Sequence, residues 1–61
     1  MEIEAGRHYS TRDGSLIYVT DIRGSRVYGY FLHCISSFDW DHRGRVYGLA
    51  PSLDDITHEV S

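Results

Sequence analysis

Read for the alternation of apolar and polar side chains, the chain breaks into short strand-like stretches separated by glycine turns. Arg7-His8-Tyr9-Ser10-Thr11 alternates long and short side chains and runs into Arg12-Asp13-Gly14, a turn signal of the Asp-Gly kind, so a hairpin is predicted there. The return arm, Ser15 to Thr20, is dense in β-branched and aromatic residues, with Ile17 and Val19 on one side and Leu16, Tyr18 and Thr20 on the other. Asp21 to Ser25 reads as a second turn. Val27 to Ile35 is the longest apolar stretch, too short and too aromatic for a helix, and Gly29 inside it predicts a bulge, a corner or the close approach of another backbone. Ser36 to Trp40 carry the pattern on to a third turn, Asp41-His42-Arg43-Gly44, after which Arg45 to Leu49 form a short strand. The words Arg23 to Gly29 and Arg43 to Gly48 are alike and read as two similar hairpin arms. Ala50-Pro51-Ser52 stops the strand, and Ser52 is placed to cap a single helical or 3₁₀ turn through Leu53-Asp54-Asp55. Ile56, His58 and Val60 alternate with Thr57 and Glu59 in a last strand, with Ile3 and Ala5 pairing beside it.

This pattern predicts an all-β fold: a small SH3-like antiparallel barrel of five to six short strands, with at most one helical turn near the C-terminus. The alternative is an open sheet of three or four strands that hides its exposed face in a homodimer. The expected core is Ile3, Ile17, Val19, Val27, Phe31, Leu32, Val46, Leu49, Leu53 and Ile56, with Trp40 half-buried at the rim.

Length confines the fold to one domain over residues 1–61, because a chain of this size buries only about 60% of the surface it exposes when unfolded. Such domains often need a disulfide, a metal or a partner, and Cys34 alone makes no internal disulfide. Six basic residues, all of them Arg, stand against nine acidic ones for a net charge of −3, which argues against attachment to nucleic acid by phosphate neutralisation alone. No apolar run approaches the ~20 residues that span a bilayer, and Met1-Glu2-Ile3-Glu4 lacks the start of a signal peptide. The expectation is a soluble, cytoplasmic chain with no membrane association.

Candidate chemistry is sparse. Four His and one Cys invite a zinc site, yet no pair shows the two-to-four-residue gap of structural zinc motifs, and His33 and Cys34, as strand neighbours, point to opposite faces. No metal or cofactor is expected. Cys34 sits in the apolar run and reads as a small buried hydrophobe rather than a nucleophile. Asp39, Asp41, Asp54 and Asp55 read as solvated or capping carboxylates rather than an acid-base pair. A barrel this small lacks room for a deep substrate pocket, so no enzyme is expected.

Aromatic content changes the picture. Five Tyr, two Phe and one Trp exceed what a small core hides, and Tyr, Trp and Arg are the residues enriched in interface hot spots. Arg12, Arg26, Tyr28, Tyr30, Trp40, Arg45 and Tyr47 are the expected partner-binding residues, with Tyr9 and Tyr18 as further members of the patch. The same side chains could stack the bases of a single strand, which the acidic balance makes the poorer reading.

Gly6-Arg7-His8-Tyr9-Ser10-Thr11-Arg12-Asp13-Gly14, with the β-rich arm to Thr20, resembles the start of a group of small bacteriophage and prophage proteins that begin with a G-x-Y-x-T-R-D-G-like motif. Those proteins carry an aromatic, often Trp, shortly before a D-G-R-like turn, to which Trp40-Asp41-His42-Arg43-Gly44-Arg45 is similar. Pro51-Ser52-Leu53-Asp54-Asp55-Ile56 is a looser match to their Ser-Pro-x-Asp-Leu-Val-like end, with Pro and Ser reversed. The resemblance implies a phage or prophage origin and a size class, its members being mostly uncharacterised accessory proteins; the expectation that follows is a non-catalytic module of the bacterial host cell's cytoplasm that binds a host or phage protein, as a modulator or inhibitor of a host or defence protein. The resemblance carries no catalytic or ligand residue across.

Overall fold

A computed structural model describes residues 2–46 and 52–60, and these form five antiparallel strands in one sheet. They are β1 (His8–Thr11), β2 (Leu16–Arg23), β3 (Arg26–Phe31), β4 (Ser37–Asp41) and β5 (Ile56–Glu59). The sheet order is β4-β3-β2-β1-β5: a meander of four strands whose fifth returns to lie beside the first. This is the expected all-β, SH3-like arrangement, left open, since β4 and β5 do not pair with each other among the described residues.

Two of the turns share one geometry. In Thr11–Ser15 the Gly14 N–H donates to the Thr11 carbonyl and the Thr11 N–H to the Ser15 carbonyl, while Asp41–Arg45 repeats both bonds through Gly44 and Asp41. In each, an aspartate finishes the turn: Asp13 Oδ1 accepts the Ser15 N–H, and Asp41 Oδ1 accepts those of Arg43 and Arg45. The structural twins are therefore 11–15 and 41–45. The turns of the two like words differ, since β2 and β3 are joined by a two-residue turn with Arg23 opposite Arg26, and the rest of the strand predicted over Arg45 to Leu49 lies outside the described residues beyond Val46.

That tight turn also corrects the predicted boundaries. Asp21 to Arg23 belong to β2, and the register shift between Val19 and Asp21 supplies the irregularity expected near Gly29. Gly29 faces Val19, and a Cβ there would press into the carbonyl of Tyr18, 3.2 Å from its carbon and 3.3 Å from Val19 Cα. The strand predicted over Val27–Ile35 ends instead at Phe31, where the Ile35 N–H returns to the Phe31 carbonyl and the Phe31 N–H reaches the Ser36 carbonyl.

The inner face carries the core: Ile3, Tyr9, Ile17, Val19, Val27, Phe31, Trp40 and Ile56, with Ile22, Phe38 and Val46 packed against it. Tyr9 is buried rather than part of a surface patch, its hydroxyl accepting from the Glu4 N–H at 2.7 Å and reaching the Glu2 carbonyl at 3.4 Å. Trp40 is wholly buried rather than half-buried at a rim. Leu32 and Leu53, expected in the core, are exposed because both fall in turns after the strand alternation has stopped; Leu49 lies outside the described residues. Ile3 is buried, but residues 2–6 form no strand; the Gly6 N–H donates to Val19, alongside β2 rather than β5. No helix occurs among the described residues, and Ser52 caps the turn before β5 as expected, its Oγ accepting the Asp54 N–H.

Where the open edges approach each other, polar contacts replace a ladder. The Ile56 N–H donates to the Gly44 carbonyl at 2.7 Å and the Trp40 indole N–H to the Asp54 carbonyl at 2.8 Å. Gly44, at φ 84°, has no room for a side chain here, since a Cβ would lie 2.9 Å from both Ile3 Cδ1 and Ile56 Cβ. At the centre of the seam is Asp55, with only 3% of its surface exposed. Its Oδ1 accepts the Val46 N–H, its Oδ2 accepts the Ser52 N–H and faces the Arg12 guanidinium at 3.5 Å, and its carbonyl accepts the Arg12 N–H.

Candidate partner-binding face

The sheet's alternation places a second set of side chains on the outside. Antiparallel pairing sets His8 opposite Tyr18 and Tyr18 opposite Tyr30, so the three rings form a row across β1, β2 and β3 with centroids 4.8 and 5.7 Å apart. Tyr28 stands one step along on β3, between Asp21 of β2 and Asp39 of β4. Arg26 lies beyond it and pairs with Asp39 at 3.2 Å, while Arg23 and Asp21 pair at 2.7 Å on the neighbouring strand. The row is half-buried by its own members, and the flanking charges alternate in sign.

The structure brings together Arg26, Tyr28, Tyr30 and Tyr18 from the expected patch and adds His8 to them. Arg12 stands apart: its Nε donates to the Ser52 carbonyl and its guanidinium faces Asp55, so it holds the barrel seam. Trp40 points into the core from β4, and its one polar atom is spent on Asp54. Arg45 is exposed in the turn after β4, beyond the Arg26–Asp41 end of the β3–β4 ladder. Tyr47 lies outside the described residues. His8 was readable from its place two residues before Ser10 in an alternating strand, but only the register of β1 against β2 aligns it with Tyr18.

Four of the six arginines are tied to carboxylates: Arg7 to Glu4 and Glu59, Arg12 to Asp55, Arg23 to Asp21 and Arg26 to Asp39. Phosphate recognition would have to break such pairs, which weighs against a nucleic-acid surface. The carboxylates respond to these contacts. The Arg23 hydrogen bond holds Asp21 below the usual carboxylate range, and the Thr11 hydroxyl does the same for Asp13. Burial pushes the Asp55 and Asp41 carboxyls up, but backbone N–H donors outweigh it and both end lower, helped at Asp55 by Arg12.

Cys34 is exposed in the turn after β3, not buried, because the strand that would have taken it inward has already ended. Among the described residues no three His, Cys, Asp or Glu side chains converge as metal ligands would, and no helix is long and apolar enough to cross a membrane. Compared with family models, with curated proteins and with solved structures, the chain matches none.

Proposed function

We propose that this chain is a non-catalytic binding module that engages a host or phage protein through the outer face of β1–β3, as a phage or prophage accessory protein working in the bacterial cytoplasm. The observation that carries the reading is the aromatic row His8–Tyr18–Tyr30, extended by Tyr28 and bordered by Arg26. Tyrosine suits such a role because it offers a large rigid surface with two side-chain torsions to fix and a hydroxyl at the tip. The flanking pairs Arg26–Asp39 and Arg23–Asp21 supply both signs of charge at the rim, where charge sets register and rejects wrong partners. The phage origin is supported by the resemblance of residues 6–20 and 40–45 to small phage proteins. A module of this kind modulates its target by covering a surface, which needs a rigid scaffold and a few anchors.

Affinity capture from host lysate tests it. The wild-type chain should retain a discrete protein that Tyr30→Ala and Arg26→Ala lose, with far-UV circular dichroism unchanged in both variants. Retention of the same protein by both variants would remove the function from this face.

A further inference from the structure

A second surface lies at the end of the barrel where the β1–β2 turn, the β3–β4 connection and the turn before β5 come together. Among the described residues, Leu16, Leu32, Ile35, Leu53 and Val60 are the exposed large hydrophobics, and the first four, exposed by 45%, 38%, 75% and 64%, stand on the segments that meet there. The Leu32 N–H donates to the Leu16 carbonyl, the Asp13 N–H to the Leu53 carbonyl, and the Ile35 N–H to the Phe31 carbonyl, so backbone bonds fix the segments that bear them. Two adjoining depressions run between these segments and share Ser15 and His33; one is bordered by Leu16 and Leu32, the other by the carboxylates Asp13 and Asp54.

Ile35 is the unusual member. Its φ of 52° lies in the left-handed region, which a β-branched residue adopts only under strain. Asparagine or glycine would sit there without penalty, and the isoleucine side chain recovers nothing from the core, since it is the most exposed large hydrophobic of the set. Strain retained to hold an apolar side chain in solvent is intelligible if something covers that side chain.

Charge decides what. Asp13 and Asp54 line the groove, while the neighbouring cation, Arg12, is turned to Ser52 and Asp55 at the seam. A second copy docking here would bring carboxylates against carboxylates, and an anionic lipid surface or nucleic acid would meet the same repulsion, on a chain whose net charge is already −3. We infer that this end of the barrel binds a cationic amphipathic segment of a partner protein, its apolar side chains on Leu16, Leu32, Ile35 and Leu53 and its Lys or Arg side chains beside Asp13 and Asp54. This surface adjoins the sheet face, since Leu16 stands two residues before Tyr18 on the outer side of β2, but its apolar and acidic residues are other than those of the aromatic row.

The test uses two synthetic peptides of one amphipathic pattern, Leu with Lys and Leu with Glu, titrated against the full chain by fluorescence anisotropy. The Lys peptide should bind, more weakly as salt is raised, and the Glu peptide should bind at least about tenfold less well. Ile35→Asn should lose about tenfold in affinity for the Lys peptide while unfolding at a higher urea concentration than wild type, because asparagine relieves the left-handed strain. Asp54→Asn should weaken binding and flatten its salt dependence. Equal binding of the two peptides, no binding of either, or unchanged affinity in Ile35→Asn would overturn the inference. So would a wild-type dimer in sedimentation that Ile35→Asn dissolves, since the groove would then be occupied by a second copy.

Discussion

Asp55→Ala should cost the domain about 4 kcal/mol, roughly half of its stability or more. The substitution strips the Val46 and Ser52 N–H groups of their acceptors inside the seam and leaves the Arg12 guanidinium without its carboxylate. A buried donor that loses its partner costs about 1–3 kcal/mol, so the combined loss is about 4 kcal/mol. A domain of this length has about 3–9 kcal/mol in total. Far-UV circular dichroism and urea titration read the outcome directly; a midpoint close to wild type would show that the seam closes without its carboxylate. Asp55→Asn keeps one acceptor and should fall between the two.

The same carboxylate predicts how the protein responds to acid. The folded pKa values of Asp55 and Asp41 are depressed below their unfolded ones, so their contribution to stability is fully present above the unfolded value of about 3.9 and is lost as pH falls through the folded values. Stability should therefore decline below about pH 4, and the decline should be shallower in Asp55→Asn, which has one fewer group to take up a proton on unfolding.

Gly29→Ala should be the second most damaging single change, although it adds one methyl group to a strand. The new Cβ would collide with the Tyr18 carbonyl and crowd Val19 Cα, and both are backbone atoms of the central strand β2, which cannot swing aside as a side chain can. Separating β2 from β3 by a few tenths of an ångström would weaken the most extensive ladder in the sheet. Overpacking of this kind costs about 3 kcal/mol, equivalent to a fall in melting temperature of about 12–24 °C for a domain of this size. Tyr28→Ala, one residue earlier on the outer face, serves as the control and should shift the melting temperature by only a few degrees. Similar losses in the two variants would mean that the close approach at Gly29 is relieved elsewhere.

Much of the sheet was legible because strands report their faces by alternation. The phase read for Ile17 and Val19 against Leu16, Tyr18 and Thr20 is the one observed, and a glycine inside an apolar strand pointed correctly to a close backbone approach. What escaped depended on contacts between segments distant in sequence. Tyr9 is buried because residues 2–4 arrive to satisfy its hydroxyl, and Trp40 because the turn before β5 offers its indole a carbonyl. Before those partners are known, an aromatic with a polar atom is equally at home inside or at the surface. Asp55 was read as a solvated or capping carboxylate and Arg12 as a partner-binding residue; that the two face each other in a buried seam depends on the open edges of the sheet meeting around them. The end of β3 at Phe31 was invisible to hydropathy, since Leu32, Cys34 and Ile35 prolong an apolar run that the backbone abandons.

Because β5 returns to β1, Arg7 and Glu59 meet across 52 positions of chain. The three hairpins of the meander close over short turns on a timescale of about microseconds, whereas this last ladder closes a long loop and carries the largest loop-closure cost of the four pairings. The local meander β1 to β4 is therefore expected to pair first, leaving the β1 edge unpaired and Tyr9 less covered until Ile56–Glu59 docks. In that interval the exposed edge is open to pairing with other chains. On that order the Asp55 seam closes last, and the rate of its closure sets how long the β1 edge stays open.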